Sequence, residues 1–188
     1  MKLILIRHGK TEANEKHLYC GSTDLALSES GITELHERKS TLEYPPIDGF
    51  RILTSGMRRC EETLTILFGD IPHDTDTAFR EMDFGTFEMR SYEEMKNDPD
   101  YIAWITGDNE ANVTPGGESG NQMTGRVIDG LTRLMDEGWD TLLVTHGGVI
   151  AAVMAHLFAK EGRNRYEWQP KPGGGYVIDV TEKQYMAL

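Results

Sequence analysis

Two histidines stand in matching surroundings far apart in the chain. His8 follows an apolar run and Arg7, and His146 follows a second apolar run and precedes Gly147. A neutral imidazole nitrogen can attack phosphorus and hold the phosphoryl group covalently, which divides one difficult step into two easier ones. The planar guanidinium of an arginine presents a fork of donors to phosphate oxygens. These residue types together indicate nucleophilic chemistry on a phosphoryl group.

More positive charge must surround such a group, because a transferred phosphoryl carries charge on three oxygens. We predict that Arg58 supplies it, since this residue lies in the first turn of a predicted helix, where backbone N–H groups also point toward a bound anion. Arg59 is the competing candidate. Adjacent helical residues point about 100° apart, so both are not expected to face one phosphate, and we interpret Arg59 as a surface residue.

The leaving group of a phosphate ester needs a proton, which a carboxylic acid beside the phosphate can supply. We choose Glu81, which lies in an acidic and aromatic segment, residues 79–85. Asp83 and Glu88 remain alternatives, because spacing along the chain does not separate them from Glu81.

Short strands alternating with helices are predicted to position these residues. Three apolar runs are typical of buried strands: residues 3–6, 51–54 and 142–145. Helices are predicted between and after them: from about Ser28 through Leu42, from near Ser55 onward, and over residues 127–136 and 149–159. The alternation favours a three-layer α/β/α sandwich with a mostly parallel central sheet. Ligands bind beyond the carboxyl ends of such strands, where His8, Ser55 and His146 all fall.

We expect residues 1–188 to form a single domain, with residues 85–120 as a small helical, lid-like insertion beside the site. Aromatic residues in that insertion either line a pocket for an aromatic leaving group or form its own small core, and we favour the core: Tyr92, Tyr101 and Trp104. Residues 176–180 are predicted to be an edge strand. Lys171 or Arg165, which precede it, are candidates for the mouth of the pocket.

Charge and composition limit the classes of partner. The chain has 31 acidic against 19 basic residues and a net charge of −12, which disfavours nonspecific binding to nucleic acid or to an anionic membrane. Cys20 and Cys60 make no disulfide framework, and the remaining histidines lack partners at metal-ligand spacing. We therefore expect a cytoplasmic protein without metal or cofactor, whose partner is a small-molecule phosphomonoester.

Four motifs, taken in order, resemble those of the histidine phosphatase superfamily, which includes the cofactor-dependent phosphoglycerate mutases and many small phosphatases. They are Arg-His-Gly-Lys-Thr at 7–11, Ser-Gly-Met-Arg at 55–58, Glu-Met-Asp-Phe-Gly at 81–85 and Thr-His-Gly-Gly at 145–148. The match runs from residue 1 to about residue 150 and implies a phosphoglycerate mutase-like fold.

Roles for individual residues follow from this resemblance. It implies that His8 is the phosphorylated nucleophile and Glu81 the proton donor, with the phosphoryl group clamped by Arg7, Arg58 and His146. Residues in contact with the substrate are expected at four positions: Asn14, Cys20, Gly21 and Gly147. Residues 115–119, with the later Arg126, also resemble an element of the family. The resemblance is compatible with a homodimer.

The segment from Glu88 to Pro115 separates the two main activities of the family. Mutases that resemble this chain carry a longer insertion there, with basic residues that grip a substrate carboxylate. This chain has two basic against seven acidic residues in that interval, so a phosphoglycerate would be repelled. We predict a metal-independent phosphatase, most similar to the alpha-ribazole phosphatase type and with alpha-ribazole 5′-phosphate as a candidate substrate. A mutase-type phosphotransferase and a non-catalytic phosphate-binding module remain the alternatives.

Overall fold

The computed structural model describes residues 1–41, 44–108 and 110–188. Within them, six strands form one sheet in the order β3-β2-β4-β1-β5-β6. The strands are β1 (Lys2–Arg7), β2 (Arg51–Thr54), β3 (Asp74–Thr75), β4 (Thr141–Thr145), β5 (Gly175–Asp179) and β6 (Gln184–Ala187). The first four run parallel to one another, whereas β5 is antiparallel to β1 and β6 is antiparallel to β5. The predicted, mostly parallel sheet is therefore confirmed.

Helices cover both faces of the sheet, as a three-layer sandwich requires. The helices are α1 (Glu12–Glu15), α2 (Glu29–Thr41), α3 (Arg58–Phe68), α4 (Tyr92–Met95), α5 (Pro99–Ile105), α6 (Gly120–Glu137) and α7 (Gly147–Leu157). Successive side chains of a strand point to opposite faces. Accordingly, Leu3 and Leu5 of β1 pack with apolar residues of α6 and α7, whereas Ile4 and Ile6 pack with those of α2 and α3.

Helix α6 is longer than its apolar periodicity predicts. It begins at Gly120 because the Ser119 side chain accepts from the Gln122 N–H, and the Gln122 side chain accepts from the Ser119 N–H. It ends at Gly138, whose φ of 75° is a left-handed conformation that favours glycine. The predicted end of α2 at Leu42 lies outside the described residues.

The prediction that residues 176–180 form an edge strand is wrong. Strand β5 lies between β1 and β6, and β6 forms the edge. The residues of β6 are half-buried or exposed, so that strand lacks the apolar run by which the buried strands can be found in the sequence.

Residues 85–120 contain α4 and α5, in agreement with the predicted helical character. Tyr101 and Trp104 are buried in the same apolar cluster as α6 and α7, whereas Tyr92 is 54% exposed. Tyr101 and Trp104 are thus buried as the favoured interpretation expects, but as part of the main core and without Tyr92, and Trp104 also lines the site cavity described below. A lid-like role for this segment stays a prediction. No helix in the described part of the chain is long and apolar enough to cross a bilayer.

Candidate active site

The register of two central strands brings the two histidines together. Arg7 at the end of β1 pairs with Thr145 at the end of β4, so His8 and His146 leave adjacent strands at the same level. The backbone N–H of His8 donates to the Thr145 carbonyl at 2.9 Å. The two imidazole centroids lie 5.1 Å apart in an edge-to-face arrangement. The predicted convergence of these residues at one sheet edge is confirmed.

The hydrogen bonding of His8 fixes which ring nitrogen can react. Its Nδ1 lies 2.6 Å from the carbonyl oxygen of Gly9, and because a carbonyl only accepts, Nδ1 must carry the proton. The Nε2 lone pair is then available. Burial, followed by the charge of Arg59 and, more weakly, of Arg7, lowers the pKa of His8 to about 3, against the opposing effect of the Gly9 bond. His8 is therefore neutral at pH 7, as a nucleophile must be.

The prediction that Arg58 faces the phosphoryl site is wrong. Its side chain is 64% exposed and its Nε donates to Glu62 at 2.8 Å, one helical turn further along α3. The interpretation of Arg59 as a surface residue is wrong as well, because Arg59 is only 1% exposed.

Arg59 lies against the histidine pair instead. Its Nε donates to Nδ1 of His146 at 3.4 Å, and its two terminal nitrogens donate to the carbonyls of Thr23 and Gly21 at 2.8 Å each. The guanidinium is thus held at three points beneath the cavity, where its charge reaches both imidazoles.

The rotation of α3 about its axis explains why Arg59, and not Arg58, lies at the site. Cys60, Leu64 and Leu67 are buried and set the inward face of the helix. Arg59 and Thr63 lie at one margin of that face, whereas Arg58 and Glu62 lie outside it and form an i,i+4 ion pair. The apolar spacing and the possible ion pair are both visible in the sequence and favour Arg59 for the inward face, but the packing of α3 on the sheet decides it.

His146 is held in one tautomer by its two partners. Because Arg59 donates to Nδ1, the proton is on Nε2, which donates to the hydroxyl of Ser55 at 2.9 Å. Burial, and then the neighbouring His8 and Arg59, lowers the pKa of His146 well below its ordinary value. Ser55, which follows β2, thereby joins the third predicted strand end to the site.

Arg7 carries a donor that no group in the described part of the chain accepts. Its Nη1 donates to the carbonyl of Pro170 at 2.8 Å, but its buried Nε has no partner among the described residues. Burial lowers the pKa of Arg7, and the opposite charge of Glu81 partly offsets this effect; an arginine nonetheless keeps its charge in proteins. Such a guanidinium donor, on the residue next to His8 in the chain, is suited to a phosphate oxygen.

Glu81 is oriented toward the cavity by backbone donors. The N–H of Met82 donates to Oε1 at 3.0 Å and the N–H of Gly148 donates to Oε2 at 2.9 Å. Arg126 holds the preceding turn, since it donates to the carbonyls of Ala78, Arg80 and Glu81 at 2.7–2.9 Å. The carboxylate is therefore held by the backbone N–H of the next residue and by the first turn of α7.

The two alternative acids, Asp83 and Glu88, accept hydrogen bonds from the loops around the site. Asp83 accepts from the Ser22 hydroxyl at 2.9 Å and from the Gly85 N–H at 2.8 Å. Glu88 accepts from the backbone N–H groups of residues 21–23 and of Phe84. Neither lines the cavity that His8 and Glu81 share, so the geometry favours Glu81 as the acid.

A cavity of about 410 Å³ opens beside His8. Of the four residues expected to contact the substrate, Asn14 and Cys20 line it. Gly21 lies behind it, packed on the Met82 carbonyl, and Gly147 makes room for the Arg7 guanidinium. Gly148 lines the cavity in place of Gly147.

Comparison with known proteins agrees with this arrangement. The model of the histidine phosphatase superfamily (branch 1) matches residues 3–187. The chain belongs to the histidine phosphatase superfamily. It is 31% identical over 188 residues to the adenosylcobalamin/alpha-ribazole phosphatase of Salmonella typhimurium, covering 97% of this chain and 92% of that protein.

Solved structures of the superfamily share the fold. The alpha-ribazole phosphatase from Shigella flexneri superimposes with a TM-score of 0.84 at 28% identity, covering 100% of this chain and 95% of that one. A phosphoglycerate mutase from Thermus thermophilus superimposes with a TM-score of 0.71 at 28% identity, covering 95% of this chain and 93% of that one. Membership in the superfamily and these relatives make the protein a phosphatase that acts on a small phosphate substrate.

The cavity also has a second polar cluster that the superfamily motifs do not include. We name it the outer cluster, formed by Glu110, Arg165 and Tyr166. Arg165 was a candidate for the pocket mouth and does line the cavity, whereas Lys171 does not. Glu110 was missed because it is one of many acids in residues 85–120, and its partner lies 55 residues away.

A metal site is not apparent in the described residues: no three His, Cys, Asp or Glu side chains are grouped to hold an ion. A reaction that needs no metal stays a prediction, which the experiment proposed below tests.

Proposed function

We propose that the protein hydrolyses a nucleoside-like phosphomonoester, with alpha-ribazole 5′-phosphate as the first candidate, through a phosphohistidine on Nε2 of His8. The observation that carries the proposal is the state of His8. It is neutral, its Nδ1–H donates to the Gly9 carbonyl, and it lines the same cavity as Arg7, whose Nε has no partner among the described residues.

The reaction has two steps that balance in protons and charge. In the first, Nε2 of His8 forms a bond to phosphorus while the ester P–O bond breaks, and the departing oxygen takes the proton of the Glu81 carboxyl group. In the second, the Glu81 carboxylate takes a proton from water as the water oxygen attacks phosphorus. The P–N bond then breaks, inorganic phosphate leaves and neutral His8 returns.

Fixed positive charge supports both transition states. Arg7 lies at the cavity and Arg59 beneath it, each held by carbonyl acceptors and therefore already oriented before the substrate binds. A single fixed donor of this kind contributes about 3–4 kcal/mol to transition-state stabilisation in other enzymes. Such preorganisation supports a catalytic protein over a phosphate-binding module.

The cavity supports a nucleoside-sized leaving group. Its volume of about 410 Å³ lies in the range of ordinary small-molecule sites, and its walls include the aromatic rings of Tyr19, Phe84 and Trp104. The Salmonella relative at 31% identity is named for adenosylcobalamin and alpha-ribazole, which supports a ligand of this class for the present chain.

The deciding experiment measures phosphate release in excess EDTA from alpha-ribazole 5′-phosphate and 3-phosphoglycerate, with His8→Ala as the control. We expect metal-independent release from the riboside, and an acid-labile phosphoprotein in the wild type but not in His8→Ala. Turnover of 3-phosphoglycerate that depends on a bisphosphoglycerate primer would instead indicate a mutase, whose fold the Thermus structure shares. Release that EDTA abolishes would contradict the metal-free mechanism.

We also propose that residues 1–188 act as one domain in the cytoplasm, with residues 85–120 covering the site. The free thiols of Cys20 and Cys60 agree with a reducing compartment, and the net charge of −12 agrees with a protein that does not bind nucleic acid. A homodimer, which the resemblance allows, is tested by the mass in solution.

A further inference from the structure

The outer cluster joins two distant parts of the chain across the cavity. Glu110 lies between α5 and α6, and Arg165 lies in a 3₁₀ turn, Arg165–Trp168, that precedes β5. Arg165 Nη1 forms an ion pair with Glu110 Oε2, and the Tyr166 hydroxyl donates to Glu110 Oε1 at 3.0 Å. All three residues line the same cavity as His8.

The positive charge of Arg165 is cancelled where a substrate would meet it. The side chains of Arg165 and Glu110 are only 20% and 29% exposed, so water screens their attraction less than at an open surface. A β-carbon at Gly120 would approach Glu110 Oε2 to 2.2 Å, which shows how closely the chain packs around this carboxylate. The ion pair is therefore a fixed part of the cavity wall.

Two buried donors of residues that line this cavity have no acceptor in the described structure: Nε of Arg165 and Nε1 of Trp104. A buried donor without an acceptor costs free energy. A neutral oxygen or nitrogen acceptor on a bound leaving group could satisfy them without disturbing the Glu110 ion pair.

We propose that Glu110 makes the cavity select phosphomonoesters with an uncharged, aromatic or nucleoside-like leaving group, because its carboxylate neutralises Arg165, the described arginine other than Arg7 that lines this cavity. The inference rests on the proposed phosphatase function and adds the basis of its specificity. Glu110 is a specificity-determining residue that acts through Arg165, remote from bond cleavage at His8.

An anionic leaving group meets two obstacles in this arrangement. Its charge would face the Glu110 carboxylate, which already neutralises Arg165, and it would lie next to a segment with two basic and seven acidic residues. An uncharged ring meets neither obstacle, and it can pack against Tyr19, Phe84 and Trp104, which already contact one another edge to face with centroids 5.2–6.2 Å apart.

The test compares two aryl phosphates of equal size, 4-carboxyphenyl phosphate and 4-(hydroxymethyl)phenyl phosphate, which differ in the charge of the leaving group. We expect Glu110→Gln to raise kcat/KM for the carboxylate relative to the alcohol by about tenfold, since like charges brought together across an interface cost several kcal/mol. Arg165→Gln should shift the same ratio in the opposite direction, because it leaves the Glu110 carboxylate unpaired. Glu93→Gln, in the exposed Glu93–Lys96 pair of the same segment, is the matched control and should leave the ratio unchanged.

The outcomes separate this inference from the function on which it rests. If the wild type hydrolyses alpha-ribazole 5′-phosphate but neither outer-cluster variant shifts the ratio, the specificity role is wrong and the phosphatase stands. If the wild type hydrolyses no phosphomonoester, both proposals fail. Thermal unfolding of each variant shows whether it folds. Because Glu110→Gln and Arg165→Gln are expected to shift the kcat/KM ratio in opposite directions, one folded variant is enough to test the specificity role.

Discussion

The Nε–H of Arg59 donates to Nδ1 of His146 at 3.4 Å, and both residues are at most 1% exposed. This contact joins the first turn of α3 to the residue that follows β4. It places a permanent charge beside two neutral imidazoles and fixes the tautomer of one of them. The electrostatics of the site therefore depend on a residue that lies beneath the cavity.

The adjacent arginines of α3 provide a matched pair of variants. We expect Arg59→Gln to lower kcat/KM by about 10²–10³-fold, the loss associated with one preorganised donor. Arg58→Gln should change it by less than about twofold, because Arg58 forms only an exposed ion pair with Glu62. Steady-state hydrolysis of an aryl phosphate checks both, with circular dichroism to confirm folding. Equal losses in the two variants would contradict the assignment of Arg59.

The role of Glu81 predicts a dependence on the leaving group. Glu81→Gln keeps the shape of the side chain but removes the proton that the ester oxygen needs. We expect turnover of an alkyl phosphate to fall by about 10²–10⁴-fold, with a much smaller loss for p-nitrophenyl phosphate, whose leaving group departs without a proton. A similar loss for both substrates would show that Glu81 is not the leaving-group acid.

Gly148 offers a test of how accurately that acid must be placed. A β-carbon at this position would lie 2.3 Å from Oε1 of Glu81, so Gly148→Ala should displace the carboxylate and leave the fold intact. We expect kcat for alkyl phosphates to fall by up to about 10²-fold, as for other small displacements of catalytic groups. Gly125→Ala is the control: nothing lies within 4 Å of its β-carbon, and it should instead stabilise α6 by about 0.5–1 kcal/mol. Unchanged activity in Gly148→Ala would contradict the observed position of Glu81.

Titration should separate His8 and His146 from His73. Burial lowers the pKa of His8 to about 3 and that of His146 well below its ordinary value. At His73 the hydrogen bond to the Ile71 carbonyl, supported by Glu61, raises the pKa instead. Nitrogen-15 spectra recorded from pH 8 to pH 5 should show His73 taking up a proton while His8 stays neutral, with His146 protonated only at a lower pH than His73. Protonation of His8 near pH 6.5 would remove the basis of its proposed reactivity.

The lowered pKa of His8 also predicts how stability depends on pH. Below pH 6.5 a histidine in the unfolded chain binds a proton that folded His8 does not bind until about pH 3. The unfolded state is therefore favoured progressively as pH falls through this window, by at most about 1.4 kcal/mol per pH unit from this residue.

His8→Ala removes that contribution, so we expect the variant to gain stability relative to the wild type between pH 6.5 and pH 4.5. Chemical denaturation at several pH values gives the difference directly. At His73 the pKa is raised, so its contribution is present below pH 6.5 and lost as pH rises, and His73→Ala should show the opposite trend. A pH-independent difference for His8→Ala would contradict the burial of a neutral imidazole.

The chain by itself determined which residues meet. Apolar runs before His8 and His146 are strong signals for buried strands, and parallel strands align their carboxyl ends at one sheet edge. The positions of both histidines, of Arg7 and of the helices around them could therefore be predicted from local pattern. Glu81 could be proposed, but Asp83 and Glu88 could be set aside only when their hydrogen bonds to surrounding loops were known.

Only the tertiary structure decided which side chains face the site. Arg58 and Arg59 are chemically identical neighbours, and the packing of Cys60, Leu64 and Leu67 on the sheet turned the second inward. The Glu110–Arg165 pair joins residues 55 positions apart. Local periodicity predicts whether a segment is a helix or a strand. The rotation of a helix and the contacts between distant segments depend instead on how the whole chain packs, and a short stretch of sequence does not contain that information.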